Sequence, residues 1–238
     1  MKLNEAIARR HSVRSYTDQS VGGAVRLQLE ALAQELSQAG GVSLSFRWDE
    51  PRAFSGGLAH YGKFSGVENY LVLSGRKRPG LERAAGYFGE RLVLEAQRLG
   101  LNSCWVAMTA RRRLVRSTLP AQERLVMLVA LGHGKTAGAE RRSKTVAQVS
   151  NAGSGTPAWF DRAVEAALLA PTSMNQQRFH LEYRDPVSAG ALPTVRFKRK
   201  LGPYSAVDEG IVRLHVEIAA RVEAGLPADV LPFVWTER

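Results

Sequence analysis

The sequence predicts a fold that mixes helices and strands, of the α/β or α+β class. Residues 81–99 carry apolar side chains at helical spacing, and Gly100 ends this pattern. Residues 178–185 and 194–200 alternate apolar and polar side chains, as half-buried strands do. Helical and strand patterns follow one another irregularly, without a clear strand–helix–strand repeat, so both classes remain open at this point.

The first half of the chain is predicted to begin with two helices. Leu3, Ala6 and Ile7 share one helical face before a polar loop, and residues 24–38 combine helical spacing with strong helix formers. The elements that follow are a strand at 43–48, a strand at 68–75, the helix at 81–99, a turn or strand at 102–108, a short helix at 111–119 and a buried strand at 124–132.

The second half begins after "SNAGSGT", residues 150–156, which has the small, flexible composition of a linker. A helix is predicted over 157–170, because Pro157 stands at its start and Pro171 at its end. The two alternating strands come next, and an amphipathic helix over 206–225 closes the pattern. The predicted division of the chain is 1–149, the linker 150–156, and 157–238.

Composition sets the broad class of the protein. A chain of 238 residues with 45% hydrophobic and 23% charged residues is typical of a globular protein with a real core. Cys104 is the single cysteine, so no internal disulfide is expected. Because the N-terminus lacks an apolar signal core and no apolar run approaches about 20 residues, we expect a cytoplasmic protein without a membrane partner.

The net charge of +11 raises the question of nucleic-acid binding. The basic clusters are scattered over predicted helices, loops and a strand, and no helix-turn-helix, zinc-ligand or RNP-type motif accompanies them. A basic, solvated surface therefore explains the charge better than a nucleic-acid groove, and we expect no nucleic-acid partner. A phosphate-bearing cofactor could use a few of these charges.

Several familiar catalytic and phosphate-binding motifs are missing. "LGHGKT", residues 131–136, follows an apolar strand, but Val129 stands where a P-loop requires glycine. Neither Gly-x-Ser-x-Gly nor Gly-x-Gly-x-x-Gly occurs. Cys104 has no partners at zinc-site spacing and the histidines share no metal-ligand spacing, so we expect no metal site.

Two short segments carry polar side chains suited to binding. Arg10, His11, Ser12 and Arg14 offer two cations, an imidazole and a hydroxyl near a helix end, a combination that can hold a phosphate. Residues 171–177, "PTSMNQQ", carry amides that can donate and accept hydrogen bonds at the edge of a polar heterocycle. Taken alone, each segment is equally consistent with a basic helix end or a capped turn.

Together and in this order, the segments resemble signatures of the FMN-dependent nitroreductase family. Residues 10–14 are similar to its Arg-(His/Arg)-Ser-x-(Arg/Lys) signature, and residues 171–177 to its Pro-Ser-Ser-x-Asn-x-Gln signature. Residues 87–106 resemble its long central helix and the turn that follows, and residues 126–144 its strand, turn and basic tail. The resemblance implies an α+β fold, an α/β sandwich in which helices flank a mixed, mainly antiparallel sheet.

The position of the second signature differs from that in ordinary members of this family. There it follows the first signature by a few tens of residues, whereas here it lies in the second half of the chain. This arrangement resembles a single-chain branch of the family, in which one chain imitates two subunits. The resemblance implies one FMN in a composite site within a monomer, with a domain-swapped dimer as the main alternative.

The resemblance assigns residues to each part of FMN and assigns no catalytic residue, because the flavin performs the chemistry. The phosphate and ribityl chain would be held by Arg10, His11, Ser12, Arg142 and Lys144. The N1 and O2 edge would face Arg14 and Lys63, and backbone near N5 would come from Trp105, Val106 and Ala107. The other face and edge would be covered by Pro171, Thr172, Ser173, Asn175 and Gln177.

The activity implied is that of an oxidoreductase with a ping-pong mechanism. NAD(P)H would give hydride to the flavin and leave, and a nitroaromatic, a quinone or a similar small acceptor would then take the electrons. Positive charge at the N1 edge would stabilise the anionic reduced flavin. Two alternatives remain open: another flavin reaction on the same fold, such as dehalogenation, and a flavin-storing or regulatory protein with little turnover.

Overall fold

The computed structural model describes residues 1–57, 62–139 and 141–237. The helices are α1 (Leu3–Arg9), α2 (Gly23–Gly40), α3 (Leu81–Arg98), α4 (Arg112–Arg116), α5 (Val146–Val149), α6 (Ala158–Leu169) and α7 (Ser205–Glu223). The strands are β1 (Ser43–Arg47), β2 (Asn69–Arg76), β3 (Asn102–Val106), β4 (Glu123–Gly132), β5 (Phe179–Arg184), β6 (Thr194–Arg199) and β7 (Val234–Thr236). Short 3₁₀ turns lie at Pro51–Phe54 and Ser173–Asn175.

The strands form two sheets. A four-stranded, fully antiparallel sheet has the order β1-β2-β4-β3, and a three-stranded sheet has the order β5-β6-β7. Within the smaller sheet β5 and β6 are antiparallel, whereas β7 runs parallel to β6. The predicted α+β class with mixed, mainly antiparallel pairing is confirmed. Each predicted helix and strand is present with ends shifted by a few residues, whereas the short helix α5 and the strand β7 were not predicted.

Strand β4 lies in the middle of the larger sheet and is buried on both faces. Leu128 and Ala130 point into one apolar cluster, while Met127 and Val129 point into another. A register shift against β2 leaves Val126 as an extra residue, which is a β-bulge. Burial on both faces explains why the sequence of this strand is a continuous apolar run and does not alternate.

Helices α3 and α7 cross at two glycines, and this crossing joins the two halves of the chain. A Cβ built on Gly86 would overlap the backbone carbonyl of Val207, and one built on Gly210 would overlap the carbonyl of Arg83. Glycine usually weakens a helix interior, so its presence in both helices reflects the close approach of their backbones. The crossing fixes α7 against the first half of the chain.

The predicted linker begins with residues that are hydrogen-bonded to the second half. The side-chain amide nitrogen of Asn151 donates to the carbonyl of Tyr183 at 2.9 Å, and the backbone N–H of Tyr183 donates to Asn151 Oδ1 at 2.8 Å. The largest apolar cluster contains side chains from both halves, among them Leu73 of β2 and Phe160 of α6.

Within the described residues, no helix combines the length and apolarity that crossing a membrane requires.

Candidate functional site

The segment that carries the first signature runs extended beside β3. Ser12 pairs with Ser103, and the backbone N–H of Val13 donates to the Ser103 carbonyl at 3.0 Å. Val13 and Tyr16 are buried, and the Tyr16 hydroxyl donates to the Val13 carbonyl at 2.6 Å. These apolar anchors fix the backbone, so the polar side chains between them have defined directions.

A cavity of about 690 Å³ lies where this segment meets the second signature. Its volume falls within the roughly 300–1,000 Å³ typical of small-molecule sites. Most of the predicted site residues line it: Arg10, His11, Ser12, Arg14, Trp105, Val106, Ala107, Arg142, Pro171, Thr172, Ser173 and Asn175. Residues that were far apart in the sequence are therefore brought to one cavity.

The carboxyl end of α6 is the point where the two signatures meet. Arg10 Nη2 donates to the Leu169 carbonyl at 3.4 Å, and the Arg141 guanidinium donates to the carbonyls of Leu169 and Arg10. The last carbonyls of a helix lack intrahelical partners and carry partial negative charge, so they favour cations at this end. Arg10 and Arg141, the arginine cluster, are thus held directly before Pro171 and the loop that follows.

The basic tail and the second signature are tied together by amides. Asn175 Nδ2 donates to the Arg142 carbonyl at 2.6 Å, and the backbone N–H of Lys144 donates to Gln177 Oε1 at 2.7 Å. Lys144 Nζ donates to the Gln177 carbonyl at 2.7 Å, and Gln177 Nε2 donates to the Leu168 carbonyl at 3.0 Å. Gln177 is fully buried, so it joins segments of the scaffold beneath the cavity.

Three predicted site residues are not part of the cavity lining. Lys144 and Gln177 bind each other as described, and Lys63 is an exposed residue with a φ of +59°. Its neighbours Gly62 and Phe64 do line the cavity, so Lys63 stands beside the site. A part for these three residues in cofactor binding stays a prediction.

The loop of residues 172–177 is held in an unusual backbone conformation. Met174, Asn175 and Gln177 have φ values of +51°, +52° and +44°, in the left-handed region that non-glycine residues rarely adopt. Asp208 of α7 binds this loop, because its Oδ1 accepts from Ser173 N–H at 3.0 Å and its Oδ2 from Gln176 Nε2 at 3.0 Å. Strain of this kind persists where surrounding bonds impose it, and it is frequent at binding sites.

The arginine cluster carries positive charge that is incompletely compensated. Arg10 is 2% exposed, and its Nε and Nη1 atoms have no hydrogen-bond partner among the described residues, although Nε lies 3.6 Å from Glu90 Oε1. Burial lowers the pKa of Arg10, and burial together with the Arg10 charge lowers the pKa of Arg141 to about 10. The buried Arg10, which has two nitrogens without hydrogen-bond partners, and the half-buried Arg141 beside it are together suited to an anion with several acceptor oxygens.

Glu90 of α3 interacts with both Arg10 and Trp105, two residues of the cavity lining. Trp105 Nε1 donates to Glu90 Oε2 at 2.8 Å, and His215 Nε2 lies 2.9 Å from Glu90 Oε1. His215 Nδ1 lies 3.0 Å from the Ala166 carbonyl, so the ring also contacts α6. The fully buried Glu90 and His215 thereby connect the β3 wall of the cavity with both helices of the second half.

The structure adds two charged residues that the sequence prediction omitted. Arg141 lines the cavity beside Arg142, which the prediction included, and Asp208 lines it beside Val207 and Ile211. The signal for Asp208 was its place in the first turn of an amphipathic helix, where Asp208 and Ile211 at i and i+3 share a face. No comparable signal separates the adjacent Arg141 and Arg142.

The chemistry of the lining fits FMN. Among the described residues of the lining, four arginines (Arg10, Arg14, Arg141 and Arg142) stand against one carboxylate, Asp208, so their charge favours an anion such as a phosphate monoester. Apolar side chains complete the walls and suit a flat ring system: Phe64, Val106, Ala107, Met127, Pro171, Val207 and Ile211.

Comparisons with known proteins bear on the family and the fold of this chain. The family described as "Putative TM nitroreductase" matches residues 2–220. A structure from Thermotoga maritima, described as a "putative nitroreductase", is 21% identical with a TM-score of 0.66, covering 95% of this chain and 87% of that chain. No curated protein matches the chain.

Two further solved structures have a TM-score of 0.50. A "putative nitroreductase in complex with FMN" from Desulfovibrio desulfuricans is 22% identical and covers 63% of this chain and 95% of that chain. A "putative NADH dehydrogenase/NAD(P)H nitroreductase" from Bacteroides thetaiotaomicron is 17% identical and covers 62% of this chain and 95% of that chain. At these identities the likeness concerns the fold.

Proposed function

Because the chain belongs to the nitroreductase family that its residues 2–220 match, we propose that it is an FMN-dependent oxidoreductase. It uses NAD(P)H to reduce a nitroaromatic, a quinone or a similar small acceptor by a ping-pong mechanism. The observation that carries this proposal is a cavity of about 690 Å³ in which Arg10, Arg14, Arg141 and Arg142 meet the second signature. An anionic cofactor that fills the cavity would balance the positive charge of these arginines.

Different residues of the cavity bind different parts of FMN. Arg10 and Arg141 bind the phosphate, with Ser12 and His11 beside them. Arg14 keeps a positive charge at the N1 and O2 edge of the ring, where it favours the anionic reduced flavin. When bound, FMN supplies the hydride and electron transfer, and residues 172–175 of the loop cover one side of it.

The proposal places one complete site in one chain. The first signature and the second signature line the same cavity and are joined through the carboxyl end of α6. A second chain is then not needed to complete the site, so the active form is a monomer. The names of the Desulfovibrio and Bacteroides proteins, which mention FMN and NAD(P)H, are consistent with these two ligands.

Anaerobic spectroscopy of the purified, FMN-loaded protein tests this function. We expect bound flavin to absorb in the visible, to bleach on addition of NADH or NADPH, and to recover its colour when a quinone or nitroaromatic is added. Bound flavin that neither nucleotide reduces would indicate the storage or regulatory role and would contradict the proposed activity. A protein that does not bind FMN would overturn the proposal altogether.

A further inference from the structure

Asp208 differs from the other buried carboxylates of the protein. Glu90 is bound by Trp105 and lies near Arg10, and Glu209 pairs with arginines of three different elements. Asp208 is 8% exposed, and among the described residues it accepts hydrogen bonds only from neutral donors, Ser173 N–H and Gln176 Nε2. It also lines the cavity, as no other carboxylate of residues 1–57, 62–139 and 141–237 does.

The surroundings of Asp208 favour the protonated form of its carboxyl group. The neutral donors just named bind it from the loop, and Tyr204, the residue before α7, lines the same cavity and interacts with the charge of Arg112. The other ionisable groups that the structure describes in the lining are Arg10, His11, Arg14, Cys104, Arg141 and Arg142. Within the described part of the chain, no cation lies within ion-pair distance of Asp208. Burial therefore raises the pKa of Asp208 to about 6, although the bonds from Gln176 and Ser173 act to lower it.

The proposed reaction requires an acid in this cavity. Reduction of a quinone to a hydroquinone takes up two electrons and two protons, and a hydride from the reduced flavin supplies both electrons and one of the protons. The second proton must reach the other quinone oxygen from an acid. A side chain with a pKa close to the working pH is the most effective donor.

We propose that Asp208 is the catalytic acid that protonates the acceptor in this cavity. The O–H bond of the Asp208 carboxyl breaks, a new O–H bond forms on the quinone oxygen, and the resulting carboxylate recovers a proton from solvent water. This inference rests on the proposed function and extends it, because the family resemblance assigned no catalytic residue.

The other lining groups are poorer candidates for this step. Arginine does not release its proton at neutral pH, and burial raises the pKa of the Cys104 thiol. His11 Nδ1 lies 3.2 Å from the Ala139 carbonyl, so one of its two ring nitrogens is already engaged by the protein backbone. Tyr204 also lines the cavity and carries an O–H group, so Tyr204→Phe is a direct test of that competitor.

Stopped-flow reoxidation of the pre-reduced, FMN-loaded enzyme by benzoquinone tests the proposal over pH 5–8. We expect the parent rate to fall as the pH rises through about 6. Asp208→Asn should be at least tenfold slower without this pH dependence, since general acids contribute about 10²–10⁴-fold. Gln176→Ala removes a bond that lowers the pKa of Asp208, so its profile should shift to higher pH.

Three controls separate proton donation from structural damage. Ferricyanide accepts an electron without a proton, so Asp208→Asn should reoxidise at the parent rate with this acceptor. Glu209→Gln alters the neighbouring carboxylate, which faces the ion-pair network, and should keep the parent pH profile with benzoquinone. Tyr204→Phe should do the same.

A readout without turnover comes from infrared titration of the flavin-free protein. The parent should show a protonated-carboxyl band with a midpoint near pH 6 that Asp208→Asn lacks and Gln176→Ala moves upward. Three outcomes would overturn the proposal. Asp208→Asn could keep the parent rates and the parent pH profile, or its reoxidation could be slowed equally with benzoquinone and ferricyanide. Tyr204→Phe could lose the pH dependence of the parent. The proposed function would survive each of these outcomes, since FMN binding and reduction by NAD(P)H are measured separately.

Discussion

The arginine cluster and Asp208, which binds the loop of residues 172–177, lie at the same cavity but differ in how their charge depends on pH. Arg10 and Arg141 are charged at neutral pH; both donate to a carbonyl at the end of α6, and Arg10 also lies near Glu90. The charge of Asp208 is conditional, because the pKa of this residue lies at about 6 and its two partners are neutral. The first region is suited to a permanent anion, and the second to a group that gains and loses a proton.

The pH dependence of a carboxylate in this protein is determined by its surroundings more than by its residue type. The same helix carries Asp208 and Glu209, yet Glu209 faces Arg83, Arg199 and Arg213 and is a structural ion-pair partner. One position along a helix turns a side chain by about 100°, which here separates a cavity wall from an ion-pair network. Neighbouring carboxylates can therefore serve separate purposes.

The largest effect is expected at the arginine cluster. Arg10→Ala should weaken FMN binding by about 100-fold, because two charge-assisted hydrogen bonds of roughly 1.5 kcal/mol each would be lost. Fluorescence titration of FMN with the flavin-free protein measures this. Arg9→Ala removes an exposed arginine next to it and is the matched control. Equal FMN affinity of Arg10→Ala and the parent would place the phosphate elsewhere.

The second effect concerns the pH dependence of stability in the flavin-free protein. Because the folded-state pKa of Asp208 is raised to about 6, its contribution to stability is present at low pH and is lost as the pH rises through 6. The unfolding free energy of Asp208→Asn minus that of the parent should therefore increase by up to about 3 kcal/mol from pH 4 to pH 7. Urea denaturation at both pH values checks this, and a constant difference between the two proteins would refute it.

The crossing of α3 and α7 is what keeps the two regions facing each other. Gly210→Ala would push a methyl group into the Arg83 carbonyl, and overpacking of this kind costs about 2 kcal/mol. We expect a lower urea midpoint and weaker FMN binding. Gly23→Ala is the control, since a Cβ at Gly23 meets nothing within 4 Å. Unchanged stability of Gly210→Ala would mean that the helices do not approach this closely.

A smaller effect is expected from Arg14, which lines the cavity and is exposed. Arg14→Ala should lower the flavin reduction potential by about 30 mV, which corresponds to roughly 1.4 kcal/mol for a two-electron couple. Arg10→Ala should leave the potential of the remaining bound flavin unchanged, because the phosphate is remote from the ring. Redox titration of both variants separates the two roles, and an unchanged potential in Arg14→Ala would move this arginine away from the ring.

Local patterns in the sequence were sufficient to predict most helices and most strands, but not the four-residue helix α5. Helices α3 and α6 have apolar spacing and clear ends, and β4 is long and apolar. Strand β7 has three residues and pairs in parallel with the distant β6, so neither periodicity nor length marked it. The bulge at Val126 depends on pairing with β2 and left no local signal.

The site was predictable as two signatures but not as an assembled cavity. The sequence identified residues 10–14 and 171–177, whereas their junction at the Leu169 carbonyl depends on how α6 ends against Arg10 and Arg141. Lys144 and Gln177 were assigned to the cofactor on resemblance alone. In the structure they bind each other, which depends on side-chain directions that sequence spacing does not encode.

The central claim is that one chain holds one complete flavin site. Flavin-to-protein stoichiometry, measured with light scattering as the protein is diluted, tests this claim most directly. We predict one FMN per chain, retained by a monomer at every concentration, because both signatures line the same cavity of one chain. Two flavins per chain, or release of flavin as a dimer dissociates, would contradict it.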